Sequence, residues 1–99
     1  MKRLILVGAL SLIPTINALA ADIAAGEKKA AVCLACHGKD GHSVIRTYPN
    51  LAGQHPEYLI DALKGYRDGA RTNPIMVPMA KALSDEDMQN IAAYFAQFK

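Results

Sequence analysis

Apolar positions fall into three helical stripes separated by two irregular stretches. From Ile23 to Cys36 the chain is rich in alanine, the strongest helix former, with Asp22 placed to cap the start and Glu27 suited to the positive end. Gly26 is a poor helix residue in the middle of this segment, and a glycine there points to close packing by another helix. From Pro56 to Asp68, the residues Leu59, Ala62, Leu63 and Tyr66 recur at i, i+3, i+4 and i+7 and define one buried face. Pro56 suits the first helical position, and Gly69 suits the stop. From Asp85 to Gln97, the stripe is Met88, Ile91, Phe95 and, just beyond the end, Phe98, with Tyr94 beside it. Ser84 caps this third helix, Asp87 stands three residues on in a variant of the capping box, and Asp85 and Glu86 add to the favourable charge at its start. No sustained alternation and no hairpin dipeptide between β-branched runs predicts a strand, so the expected class is all-α.

The stretches between the stripes are long. Gly38 to His55 holds three glycines, Pro49 and Asn50; Arg71 to Leu83 holds Asn73, Pro74 and Pro78, with Met76 and Met79. Loops of this length are uncommon in a small domain unless they have a task, and wrapping a flat cofactor is one such task. The pattern contains no internal repeat and no low-complexity tract.

Ahead of the helices, Lys2 and Arg3 precede an apolar run from Leu4 to Ile13, Pro14 ends it, and Ala18-Leu19-Ala20 has the small-x-small form that signal peptidase cuts. Ten apolar residues span only about 15 Å as a helix, and a bilayer core needs roughly twenty, so the segment reads as a cleaved leader and not as an anchor. The expected organisation is a signal peptide over residues 1–20 and one domain over residues 21–99, exported to the periplasm. Cleavage removes Lys2 and Arg3 from a total of 11 Lys+Arg, leaving nine basic against nine acidic residues. No basic stripe then remains to suggest nucleic acid. The domain has little core to offer, and chains this short often need a staple. With two cysteines in all, a disulfide framework is excluded and a large cofactor becomes the natural alternative.

Both cysteines lie in Cys33-Leu34-Ala35-Cys36-His37, the C-x-x-C-H form used to attach haem c. Two thiols on successive turns at a helix end can add to the two vinyl groups on one porphyrin edge, and the histidine next in the chain then lies under the iron. A thiol–disulfide pair would want a βαβ setting, which the pattern lacks, and a zinc site would want four ligands where only His42 and His55 are left. Both of these histidines read as loop residues. The residues alone leave the sixth ligand open between a methionine thioether, which favours ferrous iron, and a histidine. Met88 falls on the packed stripe of the last helix; Met76 and Met79 lie in the loop before it, and local sequence leaves both open.

Cys33 to His37 with Gly26 seven residues before, Pro49-Asn50-Leu51-Ala52-Gly53-Gln54, Tyr66-Arg67-Asp68-Gly69, Leu83-Ser84-Asp85-Glu86-Asp87 and Ala92-Ala93-Tyr94-Phe95 together resemble class I cytochromes c. The likeness is to short periplasmic mono-haem cytochromes and to single halves of bacterial di-haem cytochromes, and it covers nearly all of residues 21–99. It implies the class I cytochrome c fold, with three main helices and long loops wrapped around one covalent haem c. In that family the ligand methionine precedes the cap of the last helix by about eight residues, which from Ser84 points to Met76. The resemblance thus implies Cys33, Cys36, His37 and Met76 as haem-binding residues, with His37 and Met76 on the iron. It further implies that the Pro49 carbonyl accepts the His37 ring N–H, and that Gly26 packs against Tyr94 or Phe95. Arg46, Arg67 and Arg71 are candidates to meet the haem propionates.

An iron held by histidine and methionine has no vacancy for a substrate. The expectation is a periplasmic single-electron carrier and not an enzyme, a monomer that docks briefly with electron donors and acceptors and takes no small-molecule substrate. The alternative is a tightly held haem subunit of a dehydrogenase or oxidase complex.

Overall fold

The computed structural model describes residues 20–99; the leader expected over residues 1–20 falls almost wholly outside the described residues. The order of elements is α1 (Ile23–Lys29), a 3₁₀ turn (Ala30–Cys33), α2 (Leu34–His37), α3 (Pro56–Asp68), α4 (Met76–Lys81) and α5 (Asp85–Ala96). Among the described residues there is no strand, and no helix is long and apolar enough to cross a membrane.

The first predicted helix is therefore three pieces. Alanine favours helix without choosing between its forms, and here the chain tightens at Ala30, which is fully buried. A 3₁₀ turn has three residues per turn, so it re-aims Cys36 and His37 compared with a straight α-helix. Gly38 ends α2 at φ 90°, and a Cβ there would stand 2.0 Å from the His42 carbonyl oxygen, so only glycine lets the next loop fold back onto this segment.

Asp22 caps α1 through its side chain, accepting from the Ala25 N–H at 3.0 Å. The helix lies across α5 at Gly26, where a Cβ would sit 2.0 Å from the Asn90 carbonyl oxygen. The close approach expected at Tyr94 or Phe95 falls instead at Asn90–Ile91, one turn earlier. The nearest atoms there are backbone, and Tyr94 and Phe95 belong to the core cluster. Buried Asn90 is satisfied by the Asp22 N–H at 2.8 Å, and Lys29 pairs with Asp87 at 3.5 Å along the same contact.

Pro56 opens α3, and Gly69 closes it in the left-handed conformation, with the N–H groups of Gly69 and Arg71 both donating to the Gly65 carbonyl. Arg67 at its end reaches Asp85 at the start of α5, 2.6 Å away. The capping box at Ser84 and Asp87 forms in both directions. The core gathers Ala30, Leu59, Ile91, Ala92, Tyr94 and Phe95, with Tyr94 edge-on to Phe95 and Phe98 at 5.1 Å.

The second expected loop holds a helix, α4. Pro78 reads as a loop marker in the sequence, but it occupies the third position of α4, inside the first turn where a backbone N–H has no helical partner to lose. Asn73 starts the turn by accepting from the N–H groups of Ile75 and Met76 at 2.9 and 3.0 Å.

Candidate functional site

The end of the first helical segment, the loop after it, α3 and α4 line one apolar cleft of about 140 Å³. Val32, Cys33, Cys36 and His37 come from the first segment; Thr47, Tyr48 and Pro49 from the loop; Tyr66 from α3; and Asn73, Ile75, Met76 and Met79 from α4 and its approach. Cys33, Cys36, His37 and Met76 are thus brought to the same cavity, and so is Met79.

His37 is 6% exposed, and its Nδ1 lies 2.9 Å from the Pro49 carbonyl oxygen. A carbonyl can only accept, so Nδ1 carries a proton, and Nε2 is the ring nitrogen left to meet a metal. Proline contributes no N–H of its own, and its ring stiffens the loop beside the histidine. The Tyr48 ring, 6.5 Å from the imidazole and tilted to it, also lines the cavity.

Neither cysteine is in a disulfide, and burial, reinforced by Cys36, pushes the Cys33 thiol above its usual range. The remaining histidines stand apart from the cleft. His42 is engaged at both ring nitrogens, by Asp40 and by the Lys99 carbonyl, each at 2.8 Å; His55 is exposed just before α3. Among the described residues no group of three or more His, Cys, Asp or Glu side chains forms a metal cluster.

Among the described residues, the three methionines separate by burial. Met88 is fully buried in the interior, Met76 is half-buried at the cleft, and Met79 is 45% exposed at its edge. Of the arginines considered for propionates, Arg67 is committed to Asp68 and Asp85, which raise its pKa further. Arg71 stacks 4.5 Å from the centre of the Tyr66 ring, which itself lines the cleft, and Arg46 is exposed.

Two thiols, an imidazole held at Nδ1 and two thioether side chains lining one apolar cleft are a donor set suited to haem c. Val32, Ile75 and Met79 are all strongly exposed along the lining, apolar surface that a porphyrin would cover. The sequence does not single out Thr47, Tyr48 or Asn73, and its helical stripe assigns Tyr66 to the core. Asn73 before Pro74 is a readable signal for a turn onset; nothing local marks Tyr48 as a wall.

Comparison with known proteins agrees with this geometry. Residues 23–99 match the family described as cytochrome c. The chain is 51% identical over 80 residues to cytochrome c-554(548) of Halomonas halodenitrificans, covering 78% of this chain and 96% of that one. The crystal structure of reduced recombinant cytochrome c4 from Pseudomonas stutzeri superposes with a TM-score of 0.76 at 42% identity, over 81% of this chain and 47% of that one. The thiosulfate dehydrogenase electron acceptor of Thiomonas intermedia is 43% identical over 77 residues, 77% of this chain and 36% of its own length. The chain thus spans nearly all of the first relative and less than half of the other two.

Proposed function

The chain belongs to the cytochrome c family, with the class I fold and one covalent haem c, and we propose that it is a periplasmic single-electron carrier in which Cys33 and Cys36 bind the porphyrin and His37 and Met76 ligate the iron. When bound, haem c supplies a one-electron Fe(II)/Fe(III) couple. The protein's part is to hold and shield. The two thiols anchor one edge, His37 presents Nε2 while Pro49 fixes its ring, and Met76 supplies a soft sulfur that favours the reduced state. The apolar walls exclude water. With His37 and Met76 both ligating the bound iron, it would have no site for a substrate, and the partners are redox proteins.

The observation that carries this reading is the 2.9 Å contact between His37 Nδ1 and the Pro49 carbonyl in the same cleft as both thiols. It supports an imidazole set up for a metal on its other nitrogen. The export reading includes removal of residues 1–20. The carrier is a monomer with brief, small interfaces. The second reading, a tightly held subunit of a dehydrogenase, is favoured by the likeness to an electron acceptor of thiosulfate dehydrogenase. Elution of the native protein alone on size exclusion at high salt selects the carrier, and co-elution with a larger partner selects the subunit.

The deciding test is protein purified from cells able to mature c-type cytochromes. A pyridine haemochrome assay and intact mass should show one haem per chain on a polypeptide starting at Ala21. A colourless product with the mass of the bare polypeptide overturns the reading. Met76→Ala should abolish the near-infrared sulfur-to-iron band and lower the potential, while Met79→Ala keeps both. The reverse result moves the ligand to Met79.

A further inference from the structure

The loop after α2 does more than carry Pro49. The Ser43 Oγ lies 3.1 Å from the Cys36 carbonyl oxygen and 2.8 Å from that of Ile45, so its single proton can serve either. The Ser43 N–H donates to Asn50 Oδ1 at 2.7 Å. Asn50 is next to Pro49, whose carbonyl accepts from His37 Nδ1 at 2.9 Å, and His37 is next to Cys36. These contacts close a ring: Cys36, Ser43, Asn50, Pro49, His37 and back to Cys36. Gly38 permits it, because any Cβ at that position would strike the His42 carbonyl and push Ser43 away from Cys36.

We propose that Ser43 and Asn50 are positioning residues for the axial histidine, holding the Pro49 carbonyl against His37 and so setting the electron richness of the imidazole. The inference rests on the assignment of His37 to haem iron. A carbonyl held at hydrogen-bond distance fixes the ring and raises its basicity, which stabilises ferric iron. Without the ring of contacts, Pro49 keeps its bond to His37, and the next ties of the loop are the Leu51 and Ala52 N–H groups on the Gly41 carbonyl. Ser43→Ala removes the link to Cys36, and Asn50→Ala removes the acceptor for the Ser43 N–H; each frees the carbonyl to drift. The potential then rises, and the His37 ring N–H exchanges with solvent faster, by roughly fivefold or more for the loss of one hydrogen bond.

The experiment uses the haem-loaded protein, with haem content verified first. Potentiometry and proton NMR of the His37 Nδ1–H are compared for the parent, Ser43→Ala, Asn50→Ala, Ser43→Thr and Ser84→Ala. Raised potential and faster exchange in the two loop variants, recovery in Ser43→Thr, and an unchanged potential in Ser84→Ala support the proposal. Ser84→Ala lowers stability by weakening the cap of α5, so it controls for a merely structural effect. Unchanged potential and exchange in both loop variants overturn the proposal while leaving the haem assignment intact. Should both variants fail to fold, the parent alone decides: a His37 ring proton that exchanges freely at neutral pH overturns it, and a protected one supports it.

Discussion

Met76, Met79 and Met88 are the same side chain in three settings, and burial divides their work. Met88 is 0% exposed and has become a packing residue. Met88→Ala should cost about 2–5 kcal/mol, as other large-to-small core changes do, measured by denaturant unfolding of the haem-loaded protein. Its visible and near-infrared spectra should stay those of the parent; loss of the sulfur-to-iron band would mean that Met88 had been misassigned. Sequence marks Met88 as core, because its stripe repeats with helical period. It leaves Met76 and Met79 open because both fall outside any stripe, and the structure brings both to the cleft. Arg67 shows the same limit. Its place in the sequence is compatible with a propionate partner, and only the fold reveals Asp85 at 2.6 Å.

At the scale of elements, the crossing of α1 and α5 is the tightest joint. An added methyl at Gly26 would stand 2.0 Å from a backbone oxygen, which no rotamer change can relieve. Gly26→Ala should therefore cost at least the roughly 1–3 kcal/mol usual for overpacking, read as a lowered denaturation midpoint. A midpoint equal to the parent's would show that the helices separate freely. That Gly26 meets another helix is legible, since glycine within an alanine-rich helix has few other uses. The register of the contact is not, because it depends on where two helix axes come closest. The helix α4 escapes detection for a related reason: six residues containing Pro78 carry too little periodicity to announce themselves, and Asn73 starts the turn through its side chain.

Across the whole molecule, the core draws on the 3₁₀ turn, α3 and α5, and the loop 38–55 is stitched back to it. Leu51 and Ala52 donate to the Gly41 carbonyl, and Gly53 donates to that of Phe95. His42 adds a tie from this loop to Lys99, beyond the end of α5. Asp40 is the main cause that raises the His42 pKa above 6.5, with the Lys99 carbonyl second, and His42 in turn lowers Asp40 below 3.8. Stability from the raised histidine is complete below pH 6.5 and is lost as pH climbs through its folded value. Stability from the depressed carboxylate is present above pH 3.8 and is lost as pH falls through its folded value. The clasp should thus act fully between those limits. The difference in Tm between the parent and His42→Gln should be largest there and shrink towards alkaline pH. A difference independent of pH would exclude the clasp. Both groups are solvent-exposed, so the effect is small and salt-sensitive.

Sequence by itself determined the helical class, the helices after Pro56 and Ser84, and the C-x-x-C-H motif at the end of the first segment. Each is written in local spacing: period 3.6 for a buried stripe, a cap before it, and two thiols and an imidazole within five residues. Only the tertiary structure decided which residues from distant elements share one cavity, where Gly26 lies on α5, and how Ser43 and Asn50 join Pro49 to the segment of His37. Those depend on distances through space between residues far apart in the chain, and such distances are set by the packing of the whole core.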